Sequence, residues 1–312
     1  MSIISEISQE LDMDEESFRE QVRLASGKIK YIKLKKKGGG HRKIIIPPWE
    51  FKIVQYWTIL NYLRSIEVHH SATAFKEGAS IRINAMLHRQ GNYFVKMDIS
   101  NFFPSVGVDD FKHALHKYFP DTAFLEKELE DKDFTEAMFH HGVCAIGFPV
   151  SPYIANISMF ELDEIIENKL KNNRDRFGSF CYTRYADDIT ISISRKGFKK
   201  DVEKLVYESV GESTCKDIKI NSSKTKYGSK RGGSAFITGI RICKDDRLTL
   251  HRKYKDHVRL LLSLYSKGRL KPEDKSKLLG HLNYCKSSDP EFYNKLVMKY
   301  FHPIEKLKGQ KD

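Results

Sequence analysis

The chain has 312 residues, 40% of them hydrophobic and 12% aromatic, which supports a real core in one large domain or two to three subdomains and excludes a disordered chain. Its formal charge of +13 is uneven: residues 221–312 hold 22 basic and 9 acidic side chains while residues 1–220 balance, so the excess suits either a polyanion such as nucleic acid or a solvated basic helical surface. No apolar run reaches the roughly 18 residues of a membrane span, no N-terminal signal segment stands out, and five scattered cysteines without a CxxC pair point to a reducing cytoplasm and away from zinc.

In chain order, Ile3, Ile4, Ile7 and Leu11, then Phe18, Val22 and Leu24, recur at helical spacing and predict one or two amphipathic helices over residues 2–26. Residues 28–43 carry Lys28, Lys30, Lys33, Lys35, Lys36, Lys37, Arg42 and Lys43 with no acid. Apolar residues alternate with these lysines, Gly38-Gly39-Gly40 marks a turn, and Ile44-Ile45-Ile46 follows. The stretch reads as a basic β-hairpin, either a clamp on a triphosphate or template backbone or an edge hairpin shielded by lysines. Pro47-Pro48 ends it, and a helix is predicted over 49–66 with Ile53, Tyr56, Trp57, Leu60 and Leu63 facing the core. After a loop-like stretch from Ser71 to Ser80, Asn84 and His88 stand one helical turn apart, the spacing of a local side-chain pair.

Tyr93–Ile99 reads as a strand that delivers Asp98 near its end. Asn101–Ser105 then turns the chain away and brings Phe102 or Phe103 close to whatever Asp98 serves, unless either is plain core. Helices are predicted over Val108–Phe119 and Leu125–His140, and another from a Ser151 N-cap and Pro152 to about Leu170. Phe180–Arg184, then Tyr185-Ala186-Asp187-Asp188, then the alternating Ile189–Ser194, read as a hairpin with acids at its tip. Taken alone this is an acidic turn, where Asp is common. With Asp98 on a neighbouring strand, three carboxylates meet at one point and repel unless a cation neutralises them. Hard divalent ions prefer oxygen ligands, so the set is a natural two-metal site for in-line phosphoryl displacement. Beyond it, a helix is predicted over Gly197–Val210, strands over Ile218–Lys226 and Ala235–Ile242, and basic helices from Leu250, carrying Arg252, Lys253, Lys255 and Arg259 on adjoining turns.

Read together, these pieces resemble the reverse transcriptases over nearly the whole chain. Lys33–Pro47 is similar to their first fingers block, Phe94–Ser105 to the block with the first catalytic Asp, Gly147–Asn156 to the Gly-x-Pro-x-Ser-Pro block, Tyr185–Asp188 to the signature of two acids, and Asn221–Thr225 to a later lysine-bearing block. Asn84-Ala85-x-x-His88 and Ile237-Thr238-Gly239 resemble short motifs of the bacterial retron enzymes, as does the compact length; a group II intron or diversity-generating enzyme fits these motifs less well, and a non-catalytic RNA-binding scaffold does not explain the acids. The resemblance implies an α+β right-hand fold: an N-terminal helical extension (1–26), fingers (27–91), palm (92–245, with fingers-associated helices about 108–150) and a helical thumb (246–312). It implies an RNA-directed DNA polymerase with catalytic Asp98, Asp187 and Asp188, and two Mg²⁺ ions on these acids and Ile99. Arg42, Lys43, Phe103, Pro149 and Lys224 would meet the deoxynucleoside triphosphate; Asn84, His88, Thr238 and Gly239 would meet nucleic acid, as would the thumb cations. The implied partners are a structured noncoding RNA, its RNA-linked DNA product (msDNA) primed from a 2′-hydroxyl, and an effector protein in phage defence. Ile146 stands where many relatives carry Gln before the block's Gly, which removes a polar side chain beside the template–nucleotide pair.

Overall fold

The computed structural model describes residues 2–35 and 39–309. Two helices, α1 (Ile3–Glu10) and α2 (Glu15–Ala25), start where the Ser2 and Asp14 side chains accept the N–H groups of Ser5 and Ser17. Ile3, Ile4, Ile7, Phe18 and Val22 are buried as expected, whereas Leu11 and Leu24 remain exposed. Strands β1 (Lys30–Lys35) and β2 (His41–Ile46) pair antiparallel as a separate ribbon. Lys36, Lys37 and Gly38 of the expected turn lie outside the described residues.

Helix α3 (Trp49–Asn61) turns only part of the predicted face inward: Ile53 and Trp57 pack half-buried against the core, and Leu63 just beyond the helix is buried. Phe51, Val54, Gln55 and Thr58 point inward, while Tyr56 and Leu60 are 52% and 65% exposed. The inward polar groups find acceptors: Gln55 Nε2 donates to the Ala137 carbonyl and Thr58 Oγ1 to that of Val54, both at 2.7 Å. Apolar spacing alone does not report those partners, which let Gln55 and Thr58 take the inward places that spacing assigns to Tyr56 and Leu60.

Next come α4 (Ile81–Leu87) and β3 (Tyr93–Asp98), then a helical layer of α5 (Val108–Tyr118), α6 (Ala123–Glu128), α7 (Lys132–Met138), α8 (Ser151–Ser158), α9 (Phe160–Asn172) and α10 (Arg174–Phe177). The single helix expected over 125–140 is two, because Asp131 caps a fresh start with its carboxylate on the N–H groups of Asp133 and Phe134. Ser151 is not the cap of α8 but its first residue; its hydroxyl accepts the Ala145 N–H at 3.0 Å. The helix also stops at Met159 instead of running on to Leu170.

Strands β4 (Phe180–Tyr185) and β5 (Asp188–Ile193) form the predicted hairpin, followed by α11 (Lys199–Glu212) and β6 (Lys226–Ser229). The sheet order is β4-β5-β3-β6, antiparallel throughout. The expected 218–226 strand shrinks to one bridge, Ile220 to Ile99, and a turn of 3₁₀ helix at Ser222–Lys224. The expected 235–242 strand is instead a hairpin, β7 (Phe236–Ile237) and β8 (Ile240–Ile242), which β9 (Leu248–Leu250) extends. Thr238 and Gly239 join β7 to β8 with φ +44° and +87°, the two left-handed residues that a type I′ turn requires. Helices α12 (Arg252–Ser266), α13 (Lys275–Ser288), α14 (Pro290–Lys299) and α15 (Phe301–Gly309) close the chain.

Two cores result. One joins α1–α3, the helical layer and one face of the four-stranded sheet. The other joins Ala85, Phe94, the β7–β9 sheet and the C-terminal helices. All five cysteines are unpaired thiols. Among the described residues no helix is long and apolar enough to cross a membrane.

Candidate active site

The period of two divides the four-stranded sheet into an oily and a polar face. Val95, Met97, Ile189, Ile191 and Ile193 point into the first core. The alternate residues form rows across the other face. Asp98 stands opposite Asp188, and Lys96 stands between Thr190 on one side and Lys226 on the other. Asp187 lies in the two-residue turn, and its carbonyl accepts the Ile99 N–H at 2.9 Å. The sheet register thus brings the three predicted acids to one end of the polar face.

That turn is strained. Ala186 sits at φ +57°, a region that costs a residue with a Cβ roughly 1–2 kcal/mol. Beneath it, on the oily face, Arg184 and Asp163 form an ion pair at 2.6 Å with both side chains fully buried. Tyr182 donates to the same carboxylate at 2.5 Å, and Arg184 Nη1 donates to Asn156 Oδ1 at 3.1 Å. Asn156 Nδ2 in turn donates to the Ala74 carbonyl at 2.9 Å. This network ties β4 to α8, α9 and the 71–74 segment, and sequence reading missed it.

The charges at the tip are unbalanced. Lys224 Nζ lies 2.9 Å from both oxygens of Asp98 and gives its hydrogen bonds to that carboxylate. Burial, then Asp187 and Asp98, push the Asp188 carboxyl up to about 6. Asp187 is pushed up too, by burial first, against the pull of Lys224 and Arg42. A cluster of hard oxygen donors that holds a proton so tightly fits a divalent cation. A separate acid–imidazole cluster, His69 and His70 on Glu167 at 3.3 and 3.0 Å, is answered by Lys171 at 3.0 Å.

The nucleotide candidates lie around the acids. Arg42 and Lys43 are exposed on β2, and Lys43 Nζ packs 3.9 Å from the Tyr31 ring centre. The ribbon docks on the 145–149 loop, where Ile45 N–H donates to the Ile146 carbonyl at 2.8 Å. A Cβ on Gly147 would stand 2.2 Å from the Ile45 carbonyl, so only glycine allows that approach. The backbone of Ile146 makes the docking bond, whatever its side chain. Pro149 is half-buried in the same loop. Phe102 is buried core, whereas Phe103 is half-buried between the Phe75 and Phe102 rings, at centroid distances of 6.1 and 5.3 Å.

The nucleic-acid candidates divide. Thr238 and Gly239 line a cleft of about 410 Å³ together with Asp98, Asp188 and Lys224, and Thr238 Oγ1 donates to the Ile81 carbonyl at 3.0 Å. Asn84 and His88, in contrast, are fully buried and cannot touch a ligand as they stand. Asn84 Oδ1 accepts from Thr73 at 2.9 Å; the His88 ring nitrogens meet Ser192 and Thr183 hydroxyls at 2.8 and 2.7 Å. Burial pushes His88 down to about 3, so it is a neutral clasp that fixes α4 to the polar face. Lys255 is likewise committed, to Asp289 at 2.8 Å. Arg259 leans on Asp256 at 2.7 Å and on the Phe292 ring, while Arg252 and Lys253 are exposed. The sequence reading also passed over Lys96 and Lys226, which line the cleft beside the acids. Lys96 stands two residues before Asp98 and was therefore within reach of a period-two argument; Lys226 needed the strand register.

Residues 34–281 match the family model described as reverse transcriptase (RNA-dependent DNA polymerase). The retron Ec73 reverse transcriptase of Escherichia coli is 42% identical over 278 residues, covering 86% of each chain. The retron Ec83 reverse transcriptase of the same organism is 30% identical over 87% of this chain and 86% of its own. Among solved structures, a Candida albicans telomerase in complex with a fragment of telomeric RNA aligns with a TM-score of 0.49 at 12% identity, over 89% of this chain and 57% of that one. A foamy viral protease–reverse transcriptase with double-stranded DNA aligns with a TM-score of 0.48 at 15% identity, over 91% of this chain and 42% of that one. This chain thus spans about half the length of the solved chains it matches.

Proposed function

The chain belongs to the reverse transcriptase family and to its retron branch, and from that premise we propose that it copies part of a structured noncoding RNA into a small DNA that stays linked to the RNA, beginning at an RNA 2′-hydroxyl. The observation that carries the site assignment is the register that sets Asp98 against Asp188, with Asp187 in the adjoining turn. Asp98, Asp187, Asp188 and the Ile99 carbonyl would hold two Mg²⁺ ions, which supply Lewis-acid activation of the primer hydroxyl and neutralise the leaving pyrophosphate. Arg42 and Lys43 would grip the triphosphate from the ribbon, Arg42 being near enough to act electrostatically on Asp187. Phe103 would press on the sugar, where a ribose 2′-hydroxyl collides with the ring and deoxyribose does not, and Pro149 would shape the floor under the nucleotide. Lys224 would leave Asp98 for the nucleotide phosphates. Thr238 and Gly239 would meet the primer strand, and Arg252, Lys253 and Arg259 the RNA backbone.

We assign α1–α2 to an N-terminal extension, residues 27–91 to fingers, 92–245 to palm and 246–312 to thumb, with the β7–β9 sheet as the base that the thumb helices cover. The partners would be the cognate RNA, its DNA product, deoxynucleoside triphosphates and an effector protein of an antiphage system. Purification of the protein from its host tests this reading. DNA that remains joined to RNA after ribonuclease treatment, and is absent with Asp187→Ala, is the expected result. Unlinked DNA, or RNA alone with the wild-type chain, would overturn it.

A further inference from the structure

β3 and β6 set Lys96 and Lys226 directly opposite each other on the polar face of the sheet. Like charges in such a pair destabilise a sheet. Neither ammonium has a hydrogen bond or ion pair among the described residues, and both line the cleft that holds Asp98 and Asp188. Along β3, Lys96 is two residues from Asp98, roughly 6.8 Å by strand geometry. The cleft floor therefore changes from anionic to cationic within one row. Lys224 does not serve that second row, because it pairs with Asp98 and, on the reading above, turns from there to the nucleotide phosphates.

A nucleotide whose reacting hydroxyl lies at the aspartates would place the neighbouring substituent of its ribose over the lysine row. A primer that ends in a 3′-hydroxyl has nothing charged there. An internal nucleotide that reacts through its 2′-oxygen carries a phosphodiester on the adjacent 3′-oxygen, an anion held beside three carboxylates. We propose that Lys96 and Lys226 form a subsite for this 3′-phosphodiester and so favour an internal, 2′-priming nucleotide over a free 3′-end; the inference rests on the 2′-priming reading above. In the step itself the 2′-oxygen bonds to the α-phosphorus, the bond from that phosphorus to the bridging oxygen breaks, pyrophosphate leaves with the electron pair, and the hydroxyl proton passes to water. The 3′-phosphodiester keeps its charge throughout. The lysines therefore bind ground state and transition state alike, and their loss should raise KM for the RNA more than it lowers kcat.

The test uses the full chain with Mg²⁺ and two substrates: the cognate RNA, and a primer ending in a 3′-hydroxyl annealed to the same template stretch. Lys226→Gln and the double variant with Lys96→Gln should lower the ratio of 2′-initiation to 3′-extension by roughly tenfold or more, the scale of one charge-assisted contact. Lys226→Arg should restore it. Cognate RNA with an uncharged methylphosphonate at the 3′-position should be used about equally by wild type and variants. Lys226 is exposed, so its single variant keeps the readout independent of folding. Equal losses on both substrates would overturn the proposal and make the pair a grip on any primer backbone, and an unchanged ratio would overturn it outright. A wild-type chain that extends the 3′-primer but never starts at the 2′-hydroxyl would overturn the priming reading, and this subsite with it.

Discussion

Asp188 concentrates the electrostatics of the site in one titration. Its carboxyl stands at about 6 against an ordinary 3.8, with burial the largest cause and Asp187 and Asp98 next. The folded state therefore holds this proton more tightly than the unfolded one. For this group stability is fully present below pH 3.8 and is lost as pH rises through about 6, the reverse of a salt-bridged acid. Asp188→Asn should raise the melting temperature at pH 8 and give no gain near pH 4; a gain of equal size at both would show that charge is not the cause. Added Mg²⁺ should stabilise the wild type at pH 8, and progressively less below about 6 as protons compete for Asp188. Phe103 belongs to the same scale. Its ring is half-buried against Phe75 and Phe102, so Phe103→Ala opens space without emptying the core, and the proposed contact with the sugar is lost. Ribonucleotide incorporation relative to deoxyribonucleotide should rise by an order of magnitude, about 1.4 kcal/mol of lost discrimination. An unchanged ratio in an active variant would reduce Phe103 to packing.

At the scale of elements, the strained β4–β5 turn depends on what lies beneath it. Removing Asp163 would leave the Arg184 guanidinium buried and uncompensated, which costs about 3–5 kcal/mol. Asp163→Ala should lower denaturant stability by that amount, while a double apolar replacement, Asp163→Leu with Arg184→Met, should recover much of it and still synthesise DNA poorly because Asn156 Oδ1 has lost its donor. Full recovery of synthesis would mean that the network stabilises without positioning the turn. The hairpin and its acids were legible because alternation and a two-residue tip are local signals. The ion pair was not, since Asp163, Asn156 and Arg184 come from three separate elements. Asn84 and His88 were legible as a pair but not as a clasp, because their partners Thr73, Thr183 and Ser192 are set by tertiary packing. Thr238-Gly239 was read through as strand because β-branched Thr favours one; the Thr238 hydroxyl bond to Ile81 helps hold it in a turn that its side chain disfavours.

Over the whole molecule, the basic excess of residues 221–312 does not say which of its cations are free, because several are held by acids of the same segment. Lys230 is paired with Asp246, Lys255 with Asp289, Arg259 with Asp256 and Lys277 with Asp274. Asp289 is nearly buried and also accepts from Thr249, Leu250 and Phe292, so Lys255 completes a structural knot between β9, α12 and α14. Arg252 and Lys253 differ: both are exposed at the start of α12, and the 3.7 Å contact of Arg252 with Asp256 is too open to hold it. Phosphate contacts release counterions, so log affinity for RNA falls with log salt at about −0.7 to −0.9 per contact. Neutralising Arg252 and Lys253 together should flatten that slope by roughly one to two units and leave the melting temperature alone. Lys255→Gln should do the opposite, destabilising by about 1–3 kcal/mol with the slope intact, because it strips a charge-assisted bond from a buried carboxylate. Titrations of both variants against the cognate RNA at several salt concentrations, run beside thermal melts, separate grip from scaffold. A slope that responds to Lys255 and ignores Arg252 and Lys253 would reverse the assignment of the two faces of α12.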